Sequence, residues 1–201
     1  NWSFISDKEA APFGGGAWSL ANPISEDMKV MRPSLLPGLL SAVRRNVDRG
    51  ADSLRLFELG RRYLADGEHP SLAFVLAGNR KPRSWQNGKS EPFDAYDAKA
   101  ICLALLEMAG APVDKLMVMG GAGDIYHPGQ SATLRLGPKN QIASFGMVHP
   151  NLLKAFDIDL PVVVGGIHLD AIPNKKNSGF ARTTYAPPTL QPVMRDFAFL
   201  V

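Results

Sequence analysis

Cysteine occurs once in the 201 residues, at Cys102, which excludes an internal disulfide framework and fits a reducing compartment. No stretch approaches the roughly 18 consecutive apolar residues of a membrane-crossing helix. The first residues also lack the charged-then-apolar pattern of a signal peptide. These two readings give the expectation of a cytoplasmic domain with no membrane contact. Charge of one sign is scarce as well. Lys and Arg total 22 against 19 Asp and Glu, and a net charge of +3 is no electrostatic footprint for nucleic acid by itself.

The usual chemical signatures are missing too. There is no GxxxxGK[ST] loop and no GxGxxG after a strand pattern. Gly120-Gly121-Ala122-Gly123 is small enough to cradle a phosphate, but no helix pattern follows it, and Gly14 to Gly16 reads more simply as a turn. No CxxC exists, and His69, His127, His149 and His168 share no metal-ligand spacing. His127 and His149 each precede a proline, which holds their backbone extended and suits turn positions. Asp94 and Asp97 could form an acid–base pair, although helix capping explains both more simply. Cys102 falls in the apolar stripe of a helix pattern, as a buried inert thiol would. The expectation is therefore no catalytic residue, no cofactor-binding residue and no metal ligand.

What is present is ordinary globular material: 45% hydrophobic and 20% charged, enough for one sizeable core or two small ones. Asn1 to Ser6 alternates like a strand, and a short strand is expected near Trp18 to Ala21. Ser34 is placed to cap a helix with Pro37 in its first turn and an apolar stripe of Leu36, Leu39, Leu40, Val43 and Val47, ending at Gly50. Strands are predicted over Leu54 to Tyr63 and Ser71 to Leu76, the second apolar enough to be central. Arg80 to Pro92 reads as a polar loop. A helix capped by Asp94 carries Ala98, Ile101, Cys102, Leu105 and Ala109, with Gly110 and Pro112 as its stop. A hairpin follows, from Ser131 to Leu136 and Gln141 to Val148 about the turn at Gly137 to Asn140. A short helix at Asn151 to Phe156, a strand at Val162 to Asp170 and a loop from Ile172 to Pro192 come next. The last residues, Arg195 to Val201, read as an apolar strand left open, which suggests a piece of a longer protein. Hairpins with helices inserted between them argue for an α+β domain with a mostly antiparallel sheet.

Arg80, Lys81, Arg83 and Trp85, with Lys89 beyond, combine cations with a stackable aromatic. They are the candidate nucleic-acid contact, against the plainer reading of a solvated loop. Arg44, Arg45, Arg49, Arg61 and Arg62 read as a solvated face.

Six ordered blocks then resemble the beta subunit of bacterial phenylalanyl-tRNA synthetase. They are Asn22-Pro23 through Met31-Arg32-Pro33-Ser34-Leu35-Leu36-Pro37-Gly38-Leu39-Leu40, then Leu56-Phe57-Glu58-Leu59-Gly60-Arg61, and Trp85 followed by Phe93-Asp94 and Lys99. Tyr126-His127-Pro128-Gly129-Gln130-Ser131-Ala132, Gly146-Met147-Val148-His149-Pro150 and Pro192 to Phe199 complete the set. Ala100 stands where many members have glycine. The resemblance implies a class II synthetase-like, mostly antiparallel sheet flanked by helices. It implies a catalytic-like module over residues 1–192 and the first strand of a ferredoxin-like anticodon-binding domain over 193–201.

The resemblance also implies a non-catalytic role. ATP and Mg2+ would be used by the parent complex and not by this piece. The partner would be the alpha subunit, in an assembly of two alpha and two beta subunits that charges tRNA(Phe). The candidate interface is the stripe Leu36, Leu40, Val43 and Val47, or a neighbouring sheet face, left exposed for want of that partner. Two rivals remain open: an RNA-binding or regulatory module, and a stand-alone class II paralogue that activates a small carboxylate with ATP.

Overall fold

The computed structural model describes residues 1–81, 83–86, 88–173 and 195–199. In chain order the elements are β1 (Phe4–Ile5), α1 (Asp7–Ala10), β2 (Val30–Met31), α2 (Leu36–Val47), β3 (Ser53–Leu64) and β4 (Gly67–Lys81). After them come β5 (Glu91–Pro92), α3 (Ala95–Met108), β6 (Met117–Met119), β7 (Tyr126–Arg135), β8 (Gln141–Val148), α4 (Pro150–Ala155) and β9 (Val162–His168). The main sheet runs β3-β4-β9-β8-β7-β6 with every neighbour antiparallel, and β5 pairs with the far end of β4. β1 and β2 form a separate ribbon.

Why these residues form this sheet follows from period-2 patterning. Along β4, Ala73, Val75 and Ala77 project to one face, while Phe74 and Leu76 project to the other. Both faces are covered, so the strand reads as one apolar run. Leu36, Leu39, Leu40 and Val43 of α2 and Leu152 of α4 pack on the first face, against Val75, Ala77, Val162 and Val164. Ala98, Cys102 and Leu106 of α3 pack on the second, against Phe74, Phe145, Val163 and Ile167. The result is three layers with the sheet in the middle.

Helix α3 approaches the sheet closely because Gly165 of β9 has no side chain. A Cβ there would lie 2.3 Å from the Phe74 ring and 3.0 Å from Cys102 Sγ. Its start is a reciprocal capping box: Asp94 accepts from the Tyr96 and Asp97 N–H groups, and Asp97 accepts from the Asp94 N–H. The carboxylate pair is therefore a cap.

Several sequence expectations shift in register or kind. Ser34 does not cap α2; Leu35 holds that position, and Ser34 Oγ only accepts from Leu36 N–H at 3.2 Å. Near Trp18 the strand is reduced to one bridge between Ser19 and Val30. The predicted Arg80 to Pro92 loop is shorter, because β4 continues to Lys81 and Glu91–Pro92 pairs back onto it. In α3 Ala98 and Cys102 are buried as expected, but Leu106 and not Leu105 completes the buried row, and Ala109 is exposed at the C-cap. The loop expected over 172–192 falls largely outside the described residues, as does part of the strand expected over 195–201. Residues 195–199 form no helix or strand. Among the described residues no helix is long and apolar enough to cross a membrane.

Candidate subunit interface

The edge strand β3 carries apolar side chains on both faces. Leu54 and Leu56 pack inward on the α2 side. Phe57 and Leu59 point to the opposite side, where they remain 76% and 65% exposed. Their cross-strand partners on β4 are Phe74 and Leu72. Phe74 is covered by α3 and Leu72 is partly covered, so the helix layer ends one strand short of the sheet edge. The cations at either end of this outward row are engaged locally. The Arg55 guanidinium lies 4.8 Å above the Phe93 ring, and Arg61 pairs with Glu68. Between them Phe57 and Leu59 form an uncovered apolar pair on a rigid strand.

The rigidity comes from the other face. Arg32 is buried, donates from Nη1 to Glu58 Oε1 at 2.5 Å, and donates from Nε to the Arg61 carbonyl at 3.0 Å. Tyr63 N–H donates back to the Arg32 carbonyl at 2.9 Å. Gly60 makes room for the guanidinium, since a Cβ there would sit 2.6 Å from Arg32 Nη2. Arg32 and Glu58 thus join two of the sequence blocks in one desolvated pair, whose loss on either side leaves a buried charge.

The candidate interface residues of the sequence reading lie elsewhere. Leu36, Leu40 and Val43 are buried in the intramolecular core, and Val47 packs partly buried against it. The stripe is core and not a free surface, because the α2 face of the sheet has its own apolar residues to cover. An exposed apolar pair lies instead on the neighbouring sheet face, at Phe57 and Leu59. The signal was in the sequence. Apolar residues at 54, 56, 57 and 59 occupy both faces of one strand, so the strand needs cover on both sides.

The four candidate tRNA-contact residues divide. Arg80 pairs with Asp97 at 3.0 Å and with Glu91 at 2.7 Å, and Lys81 pairs with Glu91 at 3.4 Å. Arg83 and Trp85 are exposed on a turn closed by mutual backbone hydrogen bonds between Ser84 and Gly88, and Trp85 is 92% exposed beside Lys89. Two of the three cations among those four residues are therefore engaged in intramolecular ion pairs.

Among the histidines, two have local backbone roles. His127 Nδ1 accepts from Gly129 N–H at 3.2 Å, and His149 Nδ1 accepts from Asn151 N–H at 3.1 Å, capping α4. His69 stands between Asp170 at 2.5 Å and Asp66 at 3.0 Å, a grouping the linear sequence does not display. The hydrogen bonds its ring donates to the Asp170 and Asp66 carboxylates raise the His69 pKa. Burial pushes the Cys102 thiol up to about 12. Among the described residues no three His, Cys, Asp or Glu side chains are grouped to hold a metal ion.

A family model described as the phenylalanyl tRNA synthetase beta chain CLM domain matches residues 1–169. The chain belongs to this family. Over its whole length it is 60% identical to the phenylalanine–tRNA ligase beta subunit of Zymomonas mobilis and 65% identical to that of Novosphingobium aromaticivorans. It spans 25% and 26% of those two proteins, so it corresponds to about a quarter of each. At the level of fold, it resembles the pyrrolysyl-tRNA synthetase of Desulfitobacterium hafniense, with a TM-score of 0.61 and 19% identity. That superposition covers 85% of this chain and 59% of the other. In this CLM-domain chain, the buried Arg32–Glu58 pair and the edge strand it steadies both lie within the matched residues.

Proposed function

We propose that the chain is a non-catalytic, class II-like structural module of a phenylalanine–tRNA ligase beta subunit. Its role is to support the alpha subunit in ATP-dependent charging of tRNA(Phe) with phenylalanine, in an assembly of two alpha and two beta subunits. Residues 1–192 constitute the module, and 193–201 begin a following anticodon-binding domain. ATP and Mg2+ belong to the chemistry of the alpha subunit.

The observation that supports this reading is the uncovered Phe57–Leu59 pair on an edge strand braced by Arg32–Glu58. A pair of large apolar side chains held rigid in water marks a partner surface. Burying both is worth roughly 1.5–3 kcal/mol each. The test is a Phe57→Asp, Leu59→Asp double variant in the full-length beta subunit, co-purified with alpha. Loss of the heteromeric complex with an unchanged unfolding temperature is the expected result. An intact complex with wild-type affinity would place the alpha contact on another surface.

A second reading rests on Trp85, exposed beside Arg83 and Lys89, as a stacking contact to RNA. It requires that Trp85→Ala weaken tRNA binding to the full-length subunit while leaving subunit assembly intact.

A further inference from the structure

On the α2 side of the sheet, beyond the end of α2, the strands carry small residues. Ser71 and Ala73 of β4, Gly166 of β9 and Ser144 of β8 form the floor of a cleft of about 320 Å³. Its walls include Phe13 and Leu36. Two basic side chains line it from different strands, Arg62 on β3 and His168 at the end of β9, and one acidic residue, Asp124, lines the rim. Arg62 Nε and His168 Nδ1 are both buried from solvent and have no hydrogen-bond partner among the described residues. Buried polar nitrogens in native proteins are nearly always paired, so two orphans in one cleft call for a partner outside the chain.

The chemistry of that partner can be narrowed. Ser144 is already bonded to the Tyr126 hydroxyl at 2.9 Å, and the hydroxyl of Ser71 reaches the His69 carbonyl at 3.4 Å. The guanidinium is then the strongest donor facing the cavity. Asp66 and Asp170 act on Arg62 through space, and both are held by His69. Their negative field opposes a dianion such as phosphate more than a single carboxylate. The apolar walls ask for an apolar body behind the charge.

We infer that this cleft binds a small organic carboxylate, with the carboxylate on the Arg62 guanidinium and within reach of His168, and the apolar body against Phe13 and Leu36. The site is independent of the Phe57–Leu59 surface, which lies on the other face of the sheet.

Gly166 supplies a probe of the cavity that leaves the charged groups alone. A Cβ there would meet only Ser144 Oγ, at 3.8 Å, so a larger side chain would occupy the cleft without a backbone clash. Phenylacetate would be titrated into the full-length beta subunit and followed by calorimetry, with benzyl alcohol and inorganic phosphate as comparators. Saturable phenylacetate binding is expected, about tenfold or more tighter than either comparator. Gly166→Val and Arg62→Met should each weaken it by a similar factor. Thermal unfolding of the variants identifies any that fail to fold, and Gly166→Val carries the test if Arg62→Met does. No saturable phenylacetate binding to folded wild-type protein would overturn the inference. So would binding that folded Gly166→Val leaves unchanged, or phosphate binding more tightly than phenylacetate.

Discussion

The space that Gly60 leaves for Arg32 sets a stability requirement at one atom. Gly60→Ala would push against a guanidinium that donates to both Glu58 and the Arg61 carbonyl, and the shift would break at least one of those bonds. A loss of about 1–3 kcal/mol in urea unfolding is expected. Cys102 should resist alkylation at pH 8 until the chain unfolds, because its thiol is pushed up to about 12 by burial. Thiol titration with and without denaturant checks this directly.

Two histidines near the same cluster should respond to pH with opposite signs. His69 has its pKa raised by Asp170 and Asp66, so its contribution is fully present below the ordinary histidine value and is lost as pH rises through its folded value. His168 is lowered to about 4, first by burial and then by the Arg62 charge. In the unfolded chain it takes up a proton near 6.5, which the folded chain refuses, so stability falls as pH drops from that range toward 4. Denaturant titrations from pH 8 down to pH 4 should show His168→Gln flattening the acid-side loss. His69→Gln should remove a stabilisation that appears on the acid side of neutrality.

At the scale of elements, much of the architecture was legible. The hairpin from β7 to β8 closes where Gly137 to Asn140 predicted it, with Leu136 N–H donating to the Asn140 carbonyl at 2.9 Å. Asp94 and Asp97 were readable as a cap, because an N-cap with an acid three residues on is a local pattern. Asp94→Ala should lower stability by about 1 kcal/mol, measured by thermal or urea unfolding. Helix α2 shows the limit of such reading. Its stripe of Leu36, Leu40 and Val43 announces that a face must be covered, but periodicity does not say whether the cover is the chain's own sheet or another subunit. The sheet supplied it. Strand β3 carried the converse message, with apolar residues facing both ways and only one helix layer to meet them.

At the scale of the whole molecule, an apolar docking surface and a nucleic-acid contact separate by their response to salt. If Phe57 and Leu59 carry the alpha contact, the assembly should be nearly unchanged between 50 mM and 500 mM salt. A contact through Arg83, Trp85 and Lys89 should weaken steeply over the same range. Sedimentation of the heteromeric complex and filter binding of tRNA to the same preparation would read both.

The family blocks, the antiparallel alternation and the two amphipathic helices are properties of short windows, and the amino-acid sequence by itself determined them. Which apolar faces find partners within the chain is a long-range outcome. It depends on the order β3-β4-β9-β8-β7-β6, which leaves β3 at an edge beyond the reach of α3. The same order brings Arg62 and His168, 106 residues apart by their numbering, to one cleft. Tertiary structure alone decided these points, because burial and partnership depend on neighbours that the linear chain does not place side by side.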